Sequence, residues 1–575
     1  MFHKKKKVMK KLHLYIGGMA LMLSTGTISV AASTPEEDPI SKSIQTEIQR
    51  GMEGLKLDNV VSPCFIDYRM NALENLNIKA IQGALVFSNS RAYYNGMANV
   101  LVGDYAMNNL NFVASFRDLY NYNYPNRMVY GNDDQAIRTE LWRILDGQYK
   151  NAAERYNNKL SILKQTELPE EEKNIPDFQQ MNPVKAFYPA QPLKYDMEKL
   201  NEYIKEASRI FAGNTDINDS HVRIYAGSAD VRYCNSEGSV CRYPNNLIAL
   251  FIYTRGKTAD GQEIAMNNCY PYDSFDDIPS LDELKEMCRQ QAKLMHDRIT
   301  APQIEEAYVG PVLFEGEAVA DLVGKLLVNN DNGIIAQRKP IATPEIKMYY
   351  SGNSAITGNA LEGFMNKKVI SRNLSLESMS GTEEYNGKRL FGYYPVDAQG
   401  VTPDKNCPLI QDGVLVNMLT SRTPTLKLHN SNGHARATID GRLTGIYPGV
   451  LRLSGKQTVS DSELRKKLID AAKEEDYSYA YIIRKLDNDT PVQIYRVNVA
   501  DGSETLIRGA IMKDLMLRSL KRVSGVSDKE IICNRIYNDV KTSYIIPSAI
   551  LLEEVDIVKN NKIDFQKPYV VSRPE

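Results

Sequence analysis

The first half of the chain carries two kinds of hydrophobic pattern. Apolar and polar residues alternate on both sides of a turn in "IKAIQGALVFSNSRAYYN", residues 78–95, which predicts a strand pair. Residues 221–256, beginning "HVRIYAGSADV", predict successive antiparallel strands. Apolar residues at helical spacing predict helices at 41–57, at 133–165, at 195–211 and, capped by Ser280, at 280–299. We therefore expect helices packed on an antiparallel sheet.

After residue 300 the pattern becomes mostly that of strands. Asp412-Gly413 separates the apolar halves of "PLIQDGVLVNML", as in a β-hairpin turn. Asp501-Gly502 likewise separates the alternating "PVQIYRVNV" from "ETLIRG". The segment "SYIIPSAILLEEVDIV" predicts more strand near the end of the chain. Only two helices are predicted in this half, at 316–328 and 461–476.

These patterns predict an α+β protein of two domains. The 575 residues are too many for one ordinary hydrophobic core. We expect an N-terminal α+β domain at 33–300 and a mostly-β C-terminal domain at 301–575, which the 316–328 helix opens. The acidic, proline-broken segment "TELPEEEKNIPDF", residues 166–178, predicts a surface loop.

Residues 1–32 are predicted to be a signal peptide and not part of the fold. The basic "MFHKKKKVMKK" precedes an apolar stretch, and Val30 and Ala32 suit the −3 and −1 positions of a signal-peptidase site. We expect cleavage near Ala32 and a periplasmic or extracellular location; the alternative is a retained membrane anchor. No later stretch of the sequence is apolar enough to span a bilayer, so no stable anchor is expected after cleavage.

Removal of this leader changes the charge of the protein. The leader holds six lysines and no acidic residue, so cleavage moves the formal charge from −1 to −7. An acidic exported protein is poorly suited to binding the phosphate backbone of nucleic acids. We expect no nucleic-acid partner.

The seven cysteines leave the redox state of the chain open. Cys234 and Cys241 flank "NSEGSV" and could close a small hairpin as a disulfide in an oxidising compartment. The odd number requires at least one thiol that is free, metal-bound or intermolecular. No C-x-x-C pair is present, so a structural zinc cluster is not predicted.

The predicted 316–328 helix has three distinct faces. Six apolar residues form one wide face, which predicts a packed helix. Glu317, Asp321 and Lys325 form a polar stripe, in which Asp321 and Lys325 suit a surface ion pair. Gly316 begins a third stripe of very small residues, which continues through Ala320 and Gly324 and would let another backbone approach closely.

Four segments of the second half resemble the TldD/PmbA family, the modulator-of-gyrase or microcin-processing peptidases. In order, they are "YVGPVLFEGEAVADLV", "GYYPVDAQGVTPDKNCPLIQDGVLVNMLTSRTPT", "SNGHARA" and "CNRIYNDVKTSYIIPSAILLEEVDI". Together they cover most of residues 300–557 in the order of the family. The chain more closely resembles the PmbA-like partner, which lacks a histidine motif, than the zinc-bearing subunit.

The resemblance implies a metallopeptidase scaffold with an altered site. The family's peptidase subunit carries H-E-x-x-x-H and a late cysteine, which hold zinc while the glutamate takes a proton from the bound water. Gly316 stands in place of the first histidine and Asp321 in place of the second. Glu317 matches the catalytic base, and Cys533 matches the cysteine ligand. Whether the chain is an enzyme is therefore uncertain.

Other histidines offer few replacements. Apart from His3 and His13 of the leader, the chain has only four: His221, His296, His429 and His434. His296 lies on a predicted helix surface and His221 precedes a strand. His429 and His434 flank "NSNG" within a matched segment, so either could reach the cleft beside Cys533 or be a loop residue with a structural hydrogen bond. Asp321, Cys533 and His434 are the candidate metal ligands.

The resemblance implies an exported partner or degenerate subunit of a peptide-processing protease complex. Its expected partners are a TldD-like homologous subunit or a second copy of the chain, and an unfolded peptide. No cofactor is expected. If the site is intact after all, zinc is the expected cofactor. Two alternatives remain open: a non-enzymatic peptide-binding or structural protein, and a self-sufficient zinc peptidase with a rearranged site.

Overall fold

A computed structural model describes residues 38–561 except 59, 116–123, 130, 132, 330, 350–351, 353 and 538. The predicted signal peptide lies outside the described residues. The α-helices are α1 (Pro39–Gly54), α2 (Asp134–Leu163), α3 (Glu170–Lys173), α4 (Met197–Ser208), α5 (Leu281–Thr300), α6 (Glu317–Leu327), α7 (Pro344–Tyr349), α8 (Ser354–Thr357) and α9 (Asp461–Glu474). Within the described part, no helix combines the length and the apolar character needed to cross a membrane.

The strands fall into two groups along the chain. The first group is β1 (Pro63–Ile81), β2 (Ala84–Val102), β3 (Phe112–Val113), β4 (Asn126–Met128), β5 (Lys185–Phe187), β6 (Asp219–Asn235), β7 (Val240–Lys257) and β8 (Glu263–Tyr272). The second group is β9 (Tyr308–Glu315), β10 (Ile341–Ala342), β11 (Leu374–Ser378), β12 (Glu384–Tyr385), β13 (Lys388–Arg389), β14 (Cys407–Gln411), β15 (Val414–Leu415), β16 (Ala435–Ala437), β17 (Leu443–Ile446), β18 (Val450–Gly455), β19 (Tyr479–Asp487), β20 (Thr490–Asn498), β21 (Glu504–Ile507), β22 (Ala510–Lys513), β23 (Val523–Val526), β24 (Glu530–Tyr537), β25 (Val540–Pro547) and β26 (Ala549–Lys559).

Seven strands of the first group form one sheet, ordered β4-β2-β1-β6-β7-β5, with β8 also paired to β7, whereas β3 pairs with β10 of the second group. The predicted strand pair is the β1–β2 hairpin, whose turn residues Gln82 and Gly83 both have positive φ, as a two-residue hairpin requires. On β1, Ile66 lies in the core under α1 and α2, and Ile78 in the core under α4 and α5. The other face of the sheet packs on the C-terminal part through residues such as Leu73.

Thirteen of the eighteen strands in the second group form two sheets around α6, while β12–β13 and β16–β17 form separate two-stranded pairs. One sheet is ordered β15-β14-β11-β18-β25-β24 and the other β21-β20-β19-β9-β26-β22, with β23 on β26. The apolar face of α6, including Leu322 and Leu326, lies in one core with residues of both sheets. Helix α9 covers the outer face of the second sheet through Leu464 and Leu468. The predicted α+β class, with a helix opening a mostly-β part, is confirmed.

One local expectation is corrected, and one question that the sequence left open is answered. Residues 166–178 are not wholly a surface loop, because Asp177 and Phe178 are buried and Asp177 pairs with the buried Lys159 of α2. Cys234 and Cys241 do not form a disulfide and remain free thiols. Cys241 lies opposite Tyr233 in the β6–β7 register, so these two side chains share one face of the sheet. Cys234 follows Tyr233 on β6 and therefore points to the opposite face.

Candidate functional site

The backbone between β9 and α6 explains the glycine at the first expected histidine position. Gly316 has φ 59° and ψ −126°, a conformation that residues with a side chain rarely adopt. A Cβ atom there would meet nothing within 4 Å, so the torsion angles and not crowding favour glycine. A histidine at this position would have a strained backbone. It would also lack the second histidine of the family motif, whose place Asp321 takes.

No backbone of another described element packs closely against the stripe of small residues on α6. The nearest atom to a Cβ built on Gly324 is the Tyr544 hydroxyl oxygen, at 3.5 Å. Gly316 has open space on that side. Among the described residues, no backbone atom of another element lies within 4 Å of a Cβ atom built on either glycine.

An arginine joins the two acidic residues of the polar stripe. The Arg535 guanidinium places Nη2 3.2 Å from Glu317 Oε2 and 3.3 Å from Asp321 Oδ1. Lys485 Nζ lies 3.7 Å from the same Glu317 oxygen. The predicted Asp321–Lys325 pair is wrong, because Lys325 pairs instead with a residue of the β19–β20 turn. Two cations therefore face the helix start.

Burial shapes the chemistry of the acid and the thiol in this cluster. Burial raises the pKa of Asp321, although the Arg535 charge and a hydrogen bond from the Leu486 backbone N–H, 3.2 Å from Oδ2, oppose it. Burial also raises the pKa of Cys533 to about 11, against the influence of Arg535. In the absence of a metal this thiol is protonated at neutral pH, and a bound zinc ion would have to displace its proton.

The N-terminal sheet closes the other side of this cluster. Strand β8 lies beside β24, and its Asn268 accepts a hydrogen bond from Lys485. Asn268 in turn donates to Gln291 Oε1 of α5 at 2.8 Å. Burial raises the pKa of the neighbouring Cys269 to about 11, while Arg535 and Lys485 oppose the shift. The cluster is thus anchored in both halves of the chain.

The donor set does not fit zinc. A catalytic zinc site needs three protein ligands, and Gly316 supplies none. Among the described residues, no group of three or more His, Cys, Asp and Glu side chains is placed to hold a metal ion. A divalent cation shared by Glu317 and Asp321 would also lie close to the Arg535 guanidinium, where like charges repel strongly.

His434, the remaining candidate ligand, lies in a different cluster. Its side chain is fully buried, with Nδ1 2.8 Å from Asn432 Oδ1 and Nε2 2.7 Å from Ser378 Oγ. Asn432 Oδ1 also accepts from the Thr420 backbone N–H, and its Nδ2 donates to Met418 O. The amide orientation therefore places the ring proton on Nδ1, and Nε2 accepts from the serine. Both ring nitrogens are engaged, so His434 is a structural histidine here.

The other histidines also lie apart from the acidic pair. His429 is exposed, with Nε2 3.3 Å from Leu426 O. His296 is exposed on α5 and its Nδ1 lies 2.7 Å from Asp216 Oδ2. His221 stacks on Tyr253 within the N-terminal sheet.

Comparison with known proteins places the second half of the chain in a family. Residues 308–559 match the family described as PmbA/TldA metallopeptidase C-terminal domain. This second half of the chain belongs to the TldD/PmbA family. No curated protein matches the chain significantly.

Solved structures of similar fold cover nearly the whole described chain. A candidate modulator of DNA gyrase from Thermotoga maritima is 13% identical with a TM-score of 0.56, over 90% of this chain and 99% of that one. TldE from Thermococcus kodakarensis is 11% identical with a TM-score of 0.54, over 90% and 99% of the two chains. A candidate modulator of DNA gyrase from Bacteroides thetaiotaomicron is 9% identical with a TM-score of 0.54, over 90% and 98%. At these identities the likeness is one of fold.

Within this TldD/PmbA scaffold, the structure brings together three of the four predicted site residues. Glu317, Asp321 and Cys533 share the surroundings of Arg535, whereas His434 does not. Sequence analysis missed Arg535 itself. One signal for it exists: Arg535 follows Cys533 by two positions on β24, so both side chains project from the same face of the strand.

The two carboxylates are expected to differ in their effect on stability. The Glu317 side chain is 48% exposed, so Glu317→Gln should change the unfolding free energy by less than about 1 kcal/mol. The Asp321 side chain is 18% exposed and also binds a backbone N–H, so Asp321→Asn should cost about 1–3 kcal/mol. Urea unfolding at pH 7 measures both. A greater loss for Glu317→Gln than for Asp321→Asn would contradict this assignment.

Proposed function

We propose that this protein is an exported TldD/PmbA-type subunit that does not carry out zinc peptide hydrolysis by itself. It acts as the partner, or degenerate, subunit of a peptide-processing complex. The observation that carries the proposal is the Arg535 bridge between Glu317 and Asp321. A fixed guanidinium compensates the two carboxylates at the helix start, which removes their need for a metal cation.

The same bridge argues against Glu317 as a general base. A base on a metallopeptidase scaffold deprotonates a water whose pKa the metal has lowered. Glu317 instead faces Arg535 and Lys485, whose nitrogens lie 3.2 and 3.7 Å from its Oε2. Because no ligand set among the described residues around it fits zinc, we infer that Glu317 has no metal-activated water to deprotonate. Its role is to hold the helix start against β24 and β19.

The complex is expected to contain a TldD-like homologue with intact histidines, or a second copy of this chain. Each sheet of the C-terminal part ends in edge strands, including β21 and β24. An extended peptide or a partner strand can pair with such an edge through main-chain hydrogen bonds. Strand β24 carries Arg535, so a peptide bound along it would lie beside Glu317 and Asp321.

Reconstitution of the mature chain tests the proposal. We expect a stable complex with a histidine-bearing homologue from the same genome, or a homodimer, by size-exclusion chromatography with light scattering. Zinc analysis should give well under one ion per copy of this chain and close to one per homologue.

Two results would contradict the proposal. Stoichiometric zinc and peptidase activity in the isolated chain would restore a self-sufficient enzyme with a rearranged site. A strictly monomeric chain that binds neither homologue nor unfolded peptide would leave a protein that has kept only the fold.

A further inference from the structure

A small cavity lies where the N-terminal sheet meets the C-terminal part. Its walls include Arg69 and Asn71 of β1, Asp397 and Arg436 from the C-terminal part, and Lys541 of β25. The cavity volume is about 50 Å³. That volume holds a few water-sized groups, such as the atoms of one carboxylate with a short stem, and is too small for a nucleotide.

The two arginines of this cavity have hydrogen-bond donors without acceptors. Arg69 is only 4% exposed, and although Nη2 donates to the Ala398 carbonyl, Nε and Nη1 have no partner among the described residues. Arg436 is 8% exposed and stacks 3.8 Å from the centre of the Tyr394 ring, and its Nη1 also lacks a partner in the described part of the chain. Buried, unpaired donors on charged groups are costly.

The cavity also carries uncompensated positive charge. Asp397 is the one acidic residue among the described residues that line it. Its Oδ1 accepts the backbone N–H groups of Gln399 and Val401 at 2.8 and 2.9 Å, and its Oδ2 accepts that of Ala435 at 3.0 Å. These bonds occupy the carboxylate, which therefore makes no direct pair with either guanidinium.

The third cation at the cavity does not alter this balance. Lys541 Nζ is paired with Asp273 Oδ1 at 2.9 Å. Water could accept hydrogen bonds from the arginines, but it would not compensate their charge. An anionic occupant would do both.

We propose that this cavity binds the C-terminal carboxylate of a peptide, with Arg69 and Arg436 as the residues that recognise it. The assignment deepens the proposed function, on which it rests for the choice of a peptide. A carboxylate presents two coplanar oxygens that match the fork of guanidinium N–H groups. Tyr243 and Tyr394 at the wall supply apolar surface for the stem of the terminal residue.

Titration calorimetry of the full mature chain tests the assignment with N-acetyl-Leu-Leu and with its C-terminal amide. The two probes differ only in the terminal charge. We expect the acid to bind at least about tenfold more tightly than the amide. In Arg436→Met this preference should fall to about twofold or less, because one of the two recognising groups is gone. The exposed-site variant Arg496→Met should keep the full preference.

Arg436→Met is expected to fold, because it removes a buried charge that has no acidic partner. Should it not fold, Arg436→Lys serves instead: it keeps the charge but loses the fork, and should retain only part of the preference. Inorganic phosphate, as a competitor, separates a peptide terminus from a general oxyanion site. We expect it not to displace the acid at concentrations near the dissociation constant of the acid.

Equal binding of acid and amide, or binding of neither, would overturn the assignment even if the complex with a homologue forms. Displacement by phosphate at equal affinity would overturn it in favour of a phosphate site. A preference for the acid that survives Arg436→Met would also overturn it. Preference for the acid without formation of any complex would instead support the carboxylate site and count against the proposed subunit role.

Discussion

Replacing Arg422 by methionine is expected to lower the free energy of unfolding by about 3–5 kcal/mol. Arg422 is fully buried, and its Nη2 lies 2.6 Å from Glu237 Oε1 in the turn between β6 and β7. Its Nε and Nη2 also donate to the Gln179 carbonyl at 3.0 and 2.7 Å. The guanidinium stacks near the rings of Phe178 and Phe65, 4.2 and 4.9 Å from their centres. One side chain thus connects the C-terminal part with three elements of the N-terminal part.

The loss is expected to be large because the substitution leaves Glu237 buried without its cation. Two other groups, the Tyr105 hydroxyl and the Met181 backbone N–H, still donate to Glu237 Oε1 at 2.9 and 3.1 Å, but neither carries a charge. Removing one partner of a buried ion pair destabilises a protein more than replacing both partners, because it leaves an uncompensated buried charge. Arg422→Met/Glu237→Gln should therefore be more stable than the sum of the single losses predicts.

Urea unfolding, followed by both fluorescence and circular dichroism, measures these effects. The two probes show whether the two parts of the chain still unfold together. Arg496→Met, on the exposed side of β20, should stay within about 0.5 kcal/mol of the wild type. A loss below about 1 kcal/mol for Arg422→Met would mean that the buried pair contributes no more than a surface one.

Periodic patterns predicted most of the individual elements because they reflect local geometry. The helix expected at 133–165 is α2, Asp134–Leu163, and the capping role of Ser280 is confirmed by its reciprocal hydrogen bonds with Glu283. The strand pair at 78–95 was recognised, but its strands are far longer. The length of β1 depends on its pairing with β6 as well as with β2. Strand β6 is distant in sequence, so a local pattern does not reveal this pairing.

The errors share one physical origin, which is dependence on residues far apart in sequence. The sequence left open whether Cys234 and Cys241 form a disulfide. The register of two strands decides it, since a shift of one residue reverses the face of a side chain. The Arg535–Glu317 bridge joins residues 218 positions apart. Sequence pattern identified the altered helix start of α6 but not the cation that faces it.

The last expected result is a loss of stability in acid that depends on His434. Burial, reinforced by the nearby Arg436 charge, lowers the pKa of His434 to about 3, from an ordinary value of 6.5. Above pH 6.5 the ring is neutral in the folded and unfolded states, and its contribution is fully present. Between pH 6.5 and 3 the unfolded chain binds a proton that the folded chain does not. The unfolding free energy should then fall by up to about 1.4 kcal/mol per pH unit from this group alone.

A comparison of wild type with His434→Gln isolates this contribution. Burial raises the pKa values of Asp67 and Asp397 to about 6, so these acids make the unfolding free energy rise in acid, opposite to the effect of His434. Both acids are present in the wild type and in the variant, so their contributions cancel in the stability difference between the two proteins. At pH 7 the variant should be the less stable protein, because glutamine cannot reproduce both hydrogen bonds of the ring. The stability difference should shrink by about 2 kcal/mol or more between pH 7 and pH 4.5. The exposed-site variant His429→Gln is the control, and a His434→Gln difference that stays constant across this range would show that the ring binds protons equally in the folded and unfolded chain, so that its pKa is not lowered.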